Sequence, residues 1–120
     1  MAEDSAVPPI FADQLAQLSA EYARRQGQNL AELDRRLADQ GIDVPQTLLQ
    51  EAHDFMHRLA GSGGSFGFPD LSCQARDLER MARAWLAAPQ TMNEAQWQAW
   101  KGGVRALAQT LGAGDGAPPH

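Results

Sequence analysis

The chain has one cysteine, Cys73, in 120 residues. A single thiol excludes an internal disulfide framework and any paired-cysteine metal knuckle. Aromatic residues are scarce, at 7%. Positive charge is in the minority: Lys+Arg number 10 against Asp+Glu 15, a formal net charge of −5. General binding of nucleic acid or of an anionic membrane surface needs a basic footprint, so neither partner is expected. No apolar run is long enough for a transmembrane helix. The start, Met1-Ala2-Glu3-Asp4, has neither a basic n-region nor an apolar h-region. A secretory signal is therefore not expected, and a cytoplasmic location is.

Strand signals are missing as well, while Ala, Leu, Gln, Glu and Arg are plentiful, which favours helices. The length supports one domain, with boundaries expected at residues 8–111. Residues 1–7 are small and polar, and the tail from Gly112 to His120 has nothing to bury, so both ends are expected to be disordered. Phe11, Leu15, Leu18 and Tyr22 recur at helical spacing, and Leu30, Leu33 and Leu37 continue the stripe. One long helix or two helices broken near Gly27 both fit, with Gly41 beyond the end. A second helix is expected from Pro45 at its first position, with Leu48, Ala52, Phe55 and Leu59 on its apolar face. Pro69 opens a third, carrying Leu71, Ala75, Leu78, Ala82 and Trp85, and Pro89 stops it. Thr91 and Glu94 read as a capping box for a last helix with Trp97, Trp100, Val104, Leu107, Ala108 and Leu111 inward. The fold class is thus an all-α, antiparallel up-down four-helix bundle, with room for an extra short N-terminal helix. The tryptophans read as core, not as a cofactor box.

Chemistry concentrates on the second helix. His53 and His57 lie four apart, about 40° from one another on one face. His57 is turned about 200° from Phe55, so it points away from the apolar stripe, in a row with Gln50, Asp54, Gly61 and Gly64. Gly61, Gly63 and Gly64 each cost about 0.5–1 kcal/mol inside a helix. If the helix runs through them, a glycine one turn beyond His57 leaves the imidazole uncovered and open to a bulky partner. If it ends there, they form a flexible loop. Spacing alone leaves both open.

The run from His57 to Phe68 resembles the signature of histidine-containing phosphotransfer domains: a His, a Gly four residues on and a second Gly ten residues on, here His57, Gly61 and Gly67. Leu71 and the pair Leu78-Glu79 also match family positions. The resemblance implies that His57 accepts a phosphoryl group from an aspartyl phosphate on a receiver domain and passes it to another receiver, in a bacterial-type two-component relay. It implies a phosphocarrier with little catalysis of its own. No resident cofactor or metal is implied, Mg²⁺ belonging to the receiver. Response-regulator receivers are the implied partners, with a hybrid histidine kinase as a further one, and a monomer is expected. Glu79 takes the place that orients the active imidazole. Gly64 continues the uncovered surface, and Ser62 is a candidate to hydrogen-bond near the phosphoryl group or to finish the helix. Phe66 and Phe68 anchor the turn in the core or on the partner. The chain departs from the pattern at Ala60, where the family often has a Lys beside the phosphorylated ring. Arg58, or Arg76, Arg80 or Arg83 on the next helix, would have to supply that charge.

Three other readings compete. A zinc site could use the His53/His57 pair, but a third ligand is missing unless an acidic residue supplies it. A nucleotide loop at Gly61–Gly67 lacks the following Lys-Ser/Thr and the third glycine of GxGxxG, whose place Phe66 holds. The alternative function is a non-phosphorylated adaptor that binds a histidine kinase or receiver.

Overall fold

The computed structural model describes residues 9–114, and side chains within 12–112. Four helices follow one another: α1 (Pro9–Ala38), α2 (Gln46–Gly63), α3 (Pro69–Ala87) and α4 (Glu94–Gly114). Short 3₁₀ turns at Gly64–Phe66 and Pro89–Thr91 precede α3 and α4. No strand occurs among the described residues. The all-α expectation holds, and α1 takes the whole first segment from Pro9, so no separate short helix precedes it there. The expected disorder of residues 1–7 lies outside the described residues, as does that of 115–120. Gly112 to Gly114, placed in the tail by composition, belong to α4.

Cross-helix contacts give the direction of each pair. His57 meets Glu79 and the Ala60 carbonyl meets Ser72, so α2 and α3 run antiparallel. Gly27 lies against Leu111, Asp34 meets Arg105 and the Ala38 carbonyl meets Lys101, so α1 and α4 do the same. Gly27 does not break α1. A Cβ there would stand 3.3 Å from the Leu111 Cβ, so the glycine serves the approach of α4.

The core is Leu30, Leu33, Leu37, Leu49, Met56, Leu59, Ala75, Ala82 and their neighbours, closed at one end by tryptophans. Trp97 and Trp100 stack at 5.6 Å, and Trp85 meets both edge-on. Their buried N–H groups are satisfied: Trp97 donates to the Gln40 carbonyl (2.8 Å) and Trp100 to that of Leu78 (2.9 Å). At the other end Tyr22 stacks on Phe66 (4.3 Å) and lies 5.9 Å from Phe68. Phe66 and Phe68 therefore anchor the α2–α3 turn to the bundle.

Several local expectations need correction. Leu15 and Leu18 are 49% and 51% exposed. The register Gly27–Leu111 places the described end of α4 opposite the residues near Arg24, so this earlier part of α1 gains no cover from α4. Pro45 is the N-cap of α2 rather than its first residue, and its carbonyl accepts from the Leu49 N–H. Met56 fills the core where Phe55 was expected, and Phe55 is only half-buried. Asn93, not Thr91, caps α4: its side-chain oxygen accepts from the Gln96 N–H at 2.8 Å, while Thr91 donates to Ala88.

Candidate functional site

The helix does continue through the glycines. α2 runs to Gly63, and the 3₁₀ turn carries the chain on to Gly67. The three glycines differ in surroundings. A Cβ on Gly63 would meet the Phe68 carbonyl oxygen at 3.2 Å and Ser72 at 3.3 Å, so its lack of a side chain lets α3 start close to α2. A Cβ on Gly61 or Gly64 would meet nothing within 4 Å. Packing does not require those two glycines; they leave bare backbone beside His57. Gly67 has φ +91°, a conformation that disfavours any side chain, and it turns the chain towards Pro69.

His57 stands on this bare surface with its side chain 68% exposed, while Glu79, its partner on α3, is 6% exposed. Their contact is 2.8 Å, His57 Nδ1 to Glu79 Oε2. Burial pushes the Glu79 carboxyl up, but the His57 hydrogen bond and the charges of His57, Arg83 and His53 outweigh it. The net result lies below the usual carboxyl value, so Glu79 is a carboxylate. A carboxylate only accepts, so His57 Nδ1 carries a proton and donates it. The neutral ring then has its lone pair on Nε2, the nitrogen directed away from Glu79.

Glu79 has two more neighbours. Arg83, one turn along α3, donates to the same Oε2 at 2.5 Å. His53 lies one turn before His57, its ring 6.3 Å away and nearly parallel. Its Nδ1 donates to Asp54 (2.9 Å), and its buried Nε2 faces Glu79 at 3.8 Å without a hydrogen-bond partner. The His53 and Gln50 hydrogen bonds, in that order, hold the Asp54 carboxyl below its usual range.

The other sequence candidates separate. Ser62 does not face the imidazole: its hydroxyl pairs with Tyr22 at 2.6 Å and donates to the Arg58 carbonyl. It ties α2 to α1. Burial pushes the Tyr22 phenol up, against the smaller opposing effect of the Ser62 bond. Arg58 lines a groove between α1 and α2 with Gln26, Asn29 and Asp54. Arg80 pairs with Asp77. Ala60 is buried, and its carbonyl accepts from Ser72. No group of three or more His, Cys, Asp or Glu side chains among the described residues is arranged to hold a metal ion. The residues that sequence reasoning passed over are Arg83 as a partner of Glu79 and Tyr22 as a partner of Ser62. The four-residue spacing of Glu79 and Arg83 signals the first; nothing local signals the second.

The site is thus an exposed imidazole held by a buried carboxylate across an antiparallel helix pair. The family model of the Hpt domain matches residues 11–111, and the chain belongs to that family. Hpt domains are phosphocarrier modules of two-component and phosphorelay signalling. No curated protein and no solved structure matched the chain. No described helix is long and apolar enough to cross a membrane.

Proposed function

We propose that His57 is the phosphoacceptor and that the chain relays a phosphoryl group between receiver domains. The observation that carries this reading is the 2.8 Å contact of His57 Nδ1 with Glu79, which puts the lone pair of the neutral ring on Nε2, on an open surface. In the forward step the Nε2 lone pair attacks the phosphorus of an aspartyl phosphate. The N–P bond forms as the bond from phosphorus to the carboxyl oxygen breaks, and the bonding pair leaves with the carboxylate. The ring keeps its Nδ1 proton and becomes a phosphoimidazolium, whose positive charge Glu79 balances. A second aspartate takes the phosphoryl group in the reverse sense and returns the ring to neutral. The chain itself needs no metal for these roles; positioning and charge are what it supplies, and the receiver is proposed to bring Mg²⁺. Bare backbone at Gly61 and Gly64 supports approach by a folded partner. A cytoplasmic monomer, with receivers and a hybrid kinase as partners, completes the reading.

The test is transfer of label from phosphorylated receivers to the wild type and to His57→Gln. Label that is acid-labile and alkali-stable, present on the wild type and absent from the variant, is the expected result. Receivers that bind the chain without transferring label would instead favour the adaptor.

A further inference from the structure

The cations of this chain are nearly all engaged. Of the 10 Lys and Arg residues, seven arginines pair with a carboxylate, and Lys101 donates to the carbonyls of Ala38 and Gln40. Arg58 and Arg76 alone have no such partner among the described residues. Arg58 is turned about 100° from His57 around α2 and lines the groove on the α1 side. Arg76 is on α3, the helix to which His57 is tied.

Register fixes where Arg76 stands. Ser72, Arg76, Glu79 and Arg83 follow at spacings of four, three and four, which makes one stripe along α3. Two members of that stripe contact α2 at known places: Ser72 at the Ala60 carbonyl and Glu79 at His57. Because the helices are antiparallel, Arg76 falls opposite the stretch between them, 57–60. It is about 4.5 Å of helix rise from Glu79, on the side away from Arg83. It is exposed, as His57 is. Its long side chain spans that one turn easily. Arg83, the cation on the other side, is already held by Glu79.

We propose that Arg76 is the residue that contacts and neutralises the phosphoryl group carried on His57 Nε2. The inference rests on the proposed function and adds to it the source of positive charge. Phosphorylation places a dianionic group on a ring whose other nitrogen faces a carboxylate. The ring's positive charge is already balanced by Glu79, and Arg83 is held by the same carboxylate, so without a further cation the dianion itself is left uncompensated. Arg76 supplies a guanidinium that is free to turn, with a fork matched to phosphate oxygens. Ala60, buried and without a charged side chain, cannot do so.

The test uses the full chain phosphorylated with phosphoramidate and followed by ³¹P NMR against pH. Removing a cation next to the phosphoryl group makes its dianion harder to form. Arg76→Gln is therefore expected to raise the second phosphoryl pKa by about 0.5 unit, as one charge near a solvated site does. Arg76→Lys should restore the wild-type titration, and Arg80→Gln, which removes a cation already paired with Asp77, should leave it unmoved. The same Arg76→Gln chain should accept label from a phosphorylated receiver about threefold to tenfold more slowly, a loss of about 1 kcal/mol. A phosphorylated His57 whose titration is the same in wild type and Arg76→Gln overturns this inference alone. A wild-type chain that takes up no phosphoryl group on His57 overturns the proposed function, and this inference with it.

Discussion

His57 and Glu79 sit 2.8 Å apart across a helix pair, one ring mostly in water and one carboxylate almost wholly out of it. The buried partner sets the tautomer of the exposed one. Glu79→Gln keeps an oxygen that can accept from Nδ1 but loses the charge, whereas Glu79→Ala loses both. The expected order of phosphoryl acceptance is wild type, then Gln, then Ala. The Ala variant should be about 10- to 100-fold slower than wild type, the value of one charge-assisted hydrogen bond. Initial rates of labelling from a phosphorylated receiver check this.

The same carboxylate makes stability depend on pH. Its folded value lies below the usual 4.5. A lowered carboxyl pKa contributes stability that is complete above about pH 4.5 and is lost as pH falls through the folded value. The advantage of wild type over Glu79→Gln in thermal unfolding should therefore shrink on going from about pH 6 to below about pH 4. An advantage that stays constant over that range would contradict the assignment.

Gly61 and Gly63 should respond in opposite ways to the same change. Gly61→Ala adds a methyl group into open space within a helix, so stability should rise by about 0.5–1 kcal/mol. The same methyl stands one turn from His57 on the partner's approach, so transfer should slow. Gly63→Ala pushes against the Phe68 carbonyl and Ser72 and should cost about 1–3 kcal/mol. Denaturant unfolding and labelling rates, measured together, separate the two effects.

Leu18 and Leu30 share a stripe in the sequence but not in the fold. Leu30 is fully buried and Leu18 is half exposed. Leu30→Ala should cost about 2–5 kcal/mol, while Leu18→Gln should stay within about 0.5 kcal/mol of wild type. Urea midpoints for the two variants provide the comparison.

Those two leucines also show where sequence reading stops. Spacing of apolar residues locates helices well, because a 3.6-residue period is a property of the helix itself. It cannot say how far a neighbour extends, and Leu18 lies beyond the described reach of α4. Likewise the His57–Gly61–Gly67 pattern points to the helix of the proposed phosphoacceptor, and the Leu-Glu pair to its neighbour, because both are short-range regularities. Spacing does not decide between helix and loop for the glycine run. What decides it is tertiary: Gly63 must admit Ser72 and the Phe68 carbonyl. The Ser62 side chain is settled in the same way, by Tyr22 forty residues earlier. The cap of α4 lies two residues later than the sequence suggests because Thr91 and Asn93 are both good caps, and only the 3₁₀ turn at Pro89–Thr91 distinguishes them.

The solitary thiol has a use that follows from its place on α3. Cys73 is exposed and lies six residues, about 9 Å of helix rise, from Glu79. A maleimide dye would thus attach to the chain at one defined position, on the helix that carries Glu79 and within reach of the proposed docking surface. Docking and phosphorylation could then be followed as separate fluorescence events on one unmutated molecule.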